Sequence, residues 1–282
     1  MRLDQWLKDA TAALAPVAEQ PRSEARRLVT LVTCWEAIDQ ISEPTAPLTN
    51  EQHQRLDDVL ARRKAGEPLS RILGTREFWG LEFGIQGATL DPRADTETVI
   101  ELTLELLSGR PPTTVLDLGT GSGALLLALL SEYPDATGLG VDQDAQTLET
   151  ANMNSERLGL APRARFHKGD WLNGIEDHFD LMVSNPPYIP TADVAQLERN
   201  VRDFDDSKAL DGGADGLEFY RRTLVEAMGL LVPQGLLVFE LGIHQLQPVI
   251  DIAEQFGWHV RGQKTDLSGI PRAVAFGHPS KP

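Results

Sequence analysis

Thr114-Val115-Leu116-Asp117-Leu118-Gly119-Thr120-Gly121-Ser122-Gly123, followed by the apolar run Ala124–Leu130, decides how this chain folds. Five residues of strand character run into three alternating glycines, and a helical segment follows. Strand, glycine turn, helix is the unit that binds nucleotide-type cofactors. Glycine allows the tight turn and lets backbone approach a ligand closely. The next strand, Ala136–Val141, ends in Asp142, 21 residues after Gly121. A carboxylate there can accept hydrogen bonds from both hydroxyls of a ribose. The same residue could instead cap the helix expected over 144–158. A third strand, Ala164–His167, leads into Gly169-Asp170-Trp171, where contacts to an adenine ring are expected.

A second stretch carries the chemistry. Phe179-Asp180-Leu181-Met182-Val183 reads as a short buried strand and runs into Ser184-Asn185-Pro186-Pro187-Tyr188. Each proline fixes its φ and offers no N–H. The residue before each is pushed towards extended geometry. A rigid loop results at the carboxyl end of a strand, where open α/β sheets bind ligands. The Asn185 side-chain oxygen and the Pro186 carbonyl can both accept hydrogen bonds from one planar –NH2 group, with Tyr188 stacked on its plane. Such a grip orients a weakly nucleophilic amide nitrogen without a charged base. The plainer reading is a proline-stiffened turn with a local Asn cap.

Asn-Pro-Pro-Tyr after a hydrophobic strand resembles the signature of S-adenosylmethionine-dependent methyltransferases that act on exocyclic or side-chain amino groups. The spacing Asp-x-Gly-x-Gly-x-Gly fits that cofactor better than the Gly-x-Gly-x-x-Gly of nicotinamide enzymes. Upstream, Arg76–Phe83 alternates polar and apolar residues as a β-hairpin would, and Leu90-Asp91-Pro92-Arg93-Ala94-Asp95-Thr96-Glu97 opens a helix to about Leu107. Hairpin and segment together resemble the bacterial release factor glutamine methyltransferases, the HemK family. Ala94 replaces the second proline of that family's motif, and Asp91 a usual aliphatic residue. Leu210–Leu217 and Asp266–Arg272 match further family segments. Asp203-Phe204-Asp205-Asp206 stands where a Glu-Pro is usual.

The N-terminal third is different. Leu3, Trp6, Leu7, Ala10, Leu14 and Val17 share a face of a helix expected over 3–18. Ala25, Leu28, Val29, Val32 and Trp35 do so over 23–39, which places Cys34 in a core. Thr49 and Gln52 form a capping box for a third helix, stopped near Gly66. This is a small bundle without polar chemistry of its own, suited to recognition or packing.

Bulk properties narrow the partners. The 282 residues carry a formal charge of −16. Residues 1–75 hold 10 basic and 11 acidic side chains, and residues 76–282 hold 16 and 31. A duplex-binding surface is normally basic, so the balance argues against a nucleic-acid substrate. One cysteine permits neither an intrachain disulfide nor a cysteine zinc cluster, and the six histidines lack paired spacing, so no metal is expected. No signal peptide or membrane span is expected either, and the cytoplasm is the expected compartment.

The expectation is therefore an α/β protein: a seven-stranded Rossmann-like S-adenosylmethionine-dependent methyltransferase fold with an N-terminal helical bundle domain. Residues 1–72 form the helical substrate-recognition domain, 73–92 a β-hairpin linker and 93–282 the catalytic domain. The resemblance implies methyl transfer from S-adenosylmethionine to the side-chain amide of the glutamine in the Gly-Gly-Gln motif of peptide chain release factors. A ribosomal-protein glutamine, or adenine in DNA or RNA, are the alternative acceptors. Asn185, Pro186 and Tyr188 are the expected catalytic residues, and with Pro187 they bind substrate. Gly119, Thr120, Gly121, Ser122, Gly123, Asp142, Trp171 and Asn185 are expected at the cofactor.

Overall fold

The computed structural model describes residues 1–87 and 89–278, with the backbone alone at 199 and 200. Position 88 of the expected linker and 279–282 of the expected catalytic domain lie outside the described residues. The chain divides into two compact units, Met1–Thr75 and Arg76–Pro282.

The first unit is helical: α1 (Leu3–Leu14), α2 (Pro21–Thr33), α3 (Ala37–Ser42), α4 (Asn50–Lys64) and α5 (Leu69–Leu73). Leu3, Trp6, Leu14, Leu28 and Leu56 form its dry centre. The Thr49–Gln52 capping box opens α4 with both of its hydrogen bonds made. Two expectations change here. The first helix stops at Leu14, just before Pro16, and leaves Val17 exposed. The second is not continuous to residue 39. It ends at Cys34, whose left-handed backbone (φ 61°) lets its N–H bond the Thr30 carbonyl at 2.8 Å. A left-handed cap sits outside the helical face, so Cys34 is exposed rather than in the core. The buried amide of Gln40 supports the break by donating to the Trp35 carbonyl at 3.0 Å.

The chain enters the second unit through the hairpin β1 (Thr75–Phe78) and β2 (Leu81–Gly84). Trp79 (φ 52°) and Gly80 (φ 68°) are both left-handed, the geometry that suits the twist of a two-residue turn. The Trp79 N–H donates to Glu97 at 3.0 Å and the Gly84 N–H to Asn154 at 2.7 Å, so both ends of the hairpin are tied to helices of this unit.

Seven strands follow: β3 (Thr114–Leu118), β4 (Thr137–Asp142), β5 (Ala164–Lys168), β6 (Phe179–Ser184), β7 (Leu231–Glu240), β8 (His259–Thr265) and β9 (Pro271–Gly277). Their order in the sheet is β5-β4-β3-β6-β7-β9-β8. The β5 to β7 pairings are parallel, and β9 runs antiparallel to both its neighbours. Strand residues alternate between two cores. Val115, Leu181, Val183 and Val238 face α6 (Glu97–Leu107) and α7 (Ala124–Glu132). Leu116, Leu118, Met182, Leu237 and Phe239 face the opposite layer. With α8 (Ala145–Arg157) packed along β5, and the short α9 (Thr191–Val194) and α10 (Arg199–Arg202) beyond β6, that layer is formed by α11 (Glu218–Glu226) and α12 (Leu246–Gln255). α11 ends at Glu226 and is followed by a 3-10 turn, Ala227–Gly229. β7 then starts at Leu231, where it pairs with Phe179.

Strand order reverses between β3 and β6, which lie side by side with Leu118 opposite Ser184. The Ser184 hydroxyl donates to the Leu118 carbonyl at 2.6 Å and pins the two carboxyl ends together. The glycine turn and the Asn-Pro-Pro-Tyr loop therefore leave the sheet next to each other, at the switch point where such sheets open a crevice. Among the described residues no helix is long and apolar enough to cross a membrane.

Candidate active site

The glycine turn is built around three left-handed residues, Gly119, Gly121 and Gly123, with φ of 70°, 56° and 80°. Their surroundings differ. A Cβ on Gly119 would come within 3.2 Å of the Trp171 ring, whereas one on Gly121 would meet nothing within 4 Å and would project into open space. Gly123 packs inward against Leu127, Ala151 and Phe166. Thr120 also turns inward, its hydroxyl donating to Asp117 at 2.7 Å, and Ser122 is buried. Asp117 lies fully inside the protein, and burial pushes its carboxyl up to about 7.

Asp142 ends β4 beside this turn. Its Oδ2 accepts from the Gly121 N–H and its Oδ1 from the Asp144 N–H, both at 3.0 Å. Burial pushes its carboxyl up, and those backbone donors oppose the push. The capping of α8 falls to Asp144, which accepts from the Gln146 and Thr147 N–H groups. Trp171 is held with a positive φ of 56° and its ring centroid lies 4.2 Å from that of Phe219.

The Asn-Pro-Pro-Tyr loop is held from behind and from both ends. Asn185 Nδ2 donates to the Thr96 hydroxyl at 3.0 Å, and Thr96 sits just before α6. The Tyr188 hydroxyl donates to Glu240, the last residue of β7, at 3.2 Å. Burial and the neighbouring Glu240 push the Tyr188 phenol up, so it stays protonated as a donor. The Tyr188 carbonyl accepts from Gln245 Nε2 at 2.8 Å. The glycine-rich segment after Leu210 packs directly on the loop: a Cβ on Gly212 would lie 2.8 Å from the Pro187 carbonyl, and one on Gly216 would lie 2.3 Å from the Tyr188 carbonyl. Gly212 and Gly216 are buried, so this segment is a backing for the loop more than a surface feature.

Two clefts meet here. One, of about 250 Å³, is lined by Gly119, Gly121, Asp142, Trp171, Asn185 and Pro187 among others. The second, of about 370 Å³, includes Asn185, Pro186, Tyr188, Glu240 and Arg272. Asn185 lines both. The two prolines are divided between them, Pro187 with the Asp142 side and Pro186 with the Tyr188 side. Of the residues expected at the cofactor, Thr120, Ser122 and Gly123 do not line the first cleft; Thr120 and Ser122 line a smaller adjoining cavity with Gly119, Gly121 and Asn185.

Several residues at the site were not expected from the sequence. Leu90 lines both clefts, and Arg93 in the second binds Asp205 at 2.7 Å, so the acidic stretch in place of the usual Glu-Pro supplies a partner to the segment before α6. Thr96 holds Asn185, and Glu240 underlies Tyr188. Glu240 had a legible signal: like Asp142, it is an acid at the end of an apolar strand, following Leu236-Leu237-Val238-Phe239.

Comparison with known proteins agrees with this architecture. Residues 93–201 match the family described as Methyltransferase small domain, and residues 5–74 match the PrmC N-terminal domain. The chain is 45% identical over 256 residues to the release factor glutamine methyltransferase of Rhodospirillum rubrum, covering 91% of this chain and 78% of that one. It is 44% identical to the protein of the same name from Bradyrhizobium diazoefficiens, covering 91% and 88%. Among solved structures, the hMettl16 catalytic domain in complex with MAT2A 3'UTR hairpin 6 is similar with a TM-score of 0.59 at 20% identity, over 78% of this chain and 82% of that one. A methyltransferase from Pyrococcus furiosus gives 0.53 at 20% identity, over 79% and 98%. These two show the fold alone. The first two relatives are similar along most of both chains, and on that ground this chain belongs to the release factor glutamine methyltransferase family.

Proposed function

We infer that this enzyme transfers a methyl group from S-adenosylmethionine to the side-chain amide nitrogen of the glutamine in the Gly-Gly-Gln motif of peptide chain release factors. The observation that carries the reading is that Asn185 lines both clefts. A methyl donor on one side and an acceptor amide on the other would meet at this residue.

The first cleft suits S-adenosylmethionine chemically. Two of the acceptor sites of the Asp142 carboxylate are used by backbone N–H groups, which leaves others for ribose hydroxyls. The space over Gly121 gives the cofactor close access to backbone. Trp171 offers an aromatic wall. When bound, S-adenosylmethionine supplies a sulfonium methyl group. Asn185 Oδ1 and the Pro186 carbonyl are the acceptors for the two hydrogens of the substrate –NH2, and Tyr188 flanks its plane. Holding the amide in line with the methyl group contributes most of the acceleration. The two acceptors also stabilise the positive charge that grows on nitrogen. The new N–C bond uses the nitrogen lone pair, the S–C electrons leave with sulfur, and one nitrogen-bound proton passes to water. The residue 76–282 excess of acidic over basic side chains disfavours a nucleic-acid acceptor. A release factor as substrate places the reaction in the cytoplasm.

The test is labelled methyl transfer to an unmethylated release factor and to one whose Gly-Gly-Gln glutamine is changed. Label on the first alone is the expected result. Label on both, or on neither, overturns the assignment of the acceptor.

A further inference from the structure

Three elements converge behind Asn185. Thr96 lies at the start of α6, Tyr188 ends the loop after β6, and Glu240 ends β7 with no exposed surface. Tyr188 donates to Glu240 Oε1 at 3.2 Å, whereas the buried Oε2 has no hydrogen-bond partner among the described residues. The Thr96 hydroxyl stands close enough to the same carboxyl to lower its pKa, and Thr96 Oγ1 accepts from Asn185 Nδ2 at 3.0 Å. Glu240 also lines the second cleft with Asn185 and Tyr188.

An asparagine amide has a donor edge and an acceptor edge. For Oδ1 to face a substrate –NH2, Nδ2 must be turned away and given an acceptor. Thr96 can be that acceptor in either state of its own hydrogen, but it is committed to the role only if that hydrogen points elsewhere. A carboxylate only accepts. We propose that Glu240, acting through Thr96, is a positioning residue that fixes the acceptor edge of Asn185 towards the substrate cleft. This rests on the function inferred above and extends it to a residue outside the Asn-Pro-Pro-Tyr loop.

The arrangement has a polarity that can be reversed. Ionised Glu240 draws the Thr96 proton, and Thr96 then receives Asn185 Nδ2. Protonated Glu240 donates to Thr96 instead. The Thr96 hydrogen is released towards Asn185, which turns its Oδ1 to meet it and presents –NH2 to the substrate –NH2, donor against donor. Other titratable or charged groups among the described residues face Glu240. The Asp95 carboxylate and the Arg272 guanidinium pair with each other at 2.9 Å. Tyr188 and Tyr220 are both pushed up by burial and remain neutral, with the Tyr220 hydroxyl donating to the Glu240 main-chain carbonyl at 2.9 Å. Glu240 itself is the group that changes charge in the neutral range, since burial pushes it up to about 7 while the Thr96 and Tyr188 hydroxyls oppose that push.

The test follows kcat/KM for methyl transfer to release factor from about pH 5.5 to 9, with S-adenosylmethionine affinity measured by calorimetry. The wild-type enzyme should lose about tenfold per pH unit on the acid side of an inflection near 7. Glu240→Gln should abolish that acid limb. Thr96→Val should lower kcat on the order of 100-fold with cofactor affinity unchanged, and Thr96→Ser, which keeps the hydroxyl, should restore it. A Glu240→Gln enzyme that keeps the acid limb, or a Thr96→Val enzyme with wild-type kcat, overturns the positioning role. If Glu240→Gln does not fold, the Thr96 pair decides alone. A wild-type protein that labels no release factor at any pH removes the functional reading, and this proposal with it.

Discussion

Asn185 Nδ2 donates to the Thr96 hydroxyl at 3.0 Å, a bond between residues 89 positions apart in the chain. It links the loop after β6 to the start of α6 and sets the side-chain amide across the point where the two clefts meet. An amide held by one edge presents the other edge unpaired, which is what recognition of a second amide requires.

Replacing Asn185 by alanine removes one of two proposed acceptors for the substrate –NH2 and leaves the Asp142 side of the site intact. Methyl transfer should fall about 100- to 1,000-fold, the usual cost of deleting one electrostatic contact to the reacting group. Cofactor affinity should change little. Single-turnover transfer and calorimetry on the same preparation separate the two, and transfer at the wild-type rate would reject the amide grip.

Asp142 is the complementary case. Its carboxylate is prepaid in orientation by the Gly121 and Asp144 N–H groups. Asp142→Ala would remove the charge-assisted bonds proposed to the ribose, each contributing about 1.5–3 kcal/mol. The dissociation constant for S-adenosylmethionine should rise at least about 100-fold. Unchanged affinity by calorimetry would assign Asp142 to holding the glycine turn and nothing more.

The legibility of this site followed sequence locality. Gly119, Gly121 and Asp142 declare themselves because a left-handed turn and a strand-end acid leave marks within a few residues of chain. The boundaries of β3 and β6 were readable for the same reason, since an apolar run ends at a glycine or a proline. Thr96 was not read as part of the site because its role depends on a partner 89 positions away, and Glu240, although marked as a strand-end acid like Asp142, acts on Tyr188, 52 positions away. The break at Cys34 escaped periodicity because the apolar spacing continues to Trp35, while a buried Gln40 amide takes up the carbonyl that the break frees. Gly212 and Gly216 carry no local mark of their role, which is that their lack of a side chain lets Pro187 and Tyr188 pass against them.

Gly216 offers a test of that backing. Its φ is 74°, and an added Cβ would lie 2.3 Å from the Tyr188 carbonyl and 2.8 Å from Gln245 Nε2. Gly216→Ala should therefore disturb the Tyr188–Gln245 hydrogen bond and cost about 1–2 kcal/mol in backbone strain. We expect kcat to drop at least about tenfold, with S-adenosylmethionine binding near wild type, because the first cleft does not touch this segment. Equal losses in kcat and cofactor affinity would mean that the segment supports the whole crevice instead of the loop.

The buried Asp117 makes stability depend on pH. Its carboxyl is raised from 3.8 to about 7 by burial, so the folded state holds the proton more tightly than the unfolded chain. The stability gained from this proton is fully present below about pH 4 and is lost as pH rises through about 7, which amounts to about 2 kcal/mol between pH 5 and 7. Asparagine has no charge to bury and should be free of this loss. The Tm of Asp117→Asn relative to wild type should accordingly improve from pH 5 to pH 8, by roughly 5 °C. Part of any deficit common to both pH values reflects the Thr120 hydroxyl, which donates to the carboxyl at 2.7 Å and would face an amide. The difference between the two pH values isolates the charge, and a Tm gap that stays constant would show that Asp117 keeps an ordinary carboxylate pKa inside the fold.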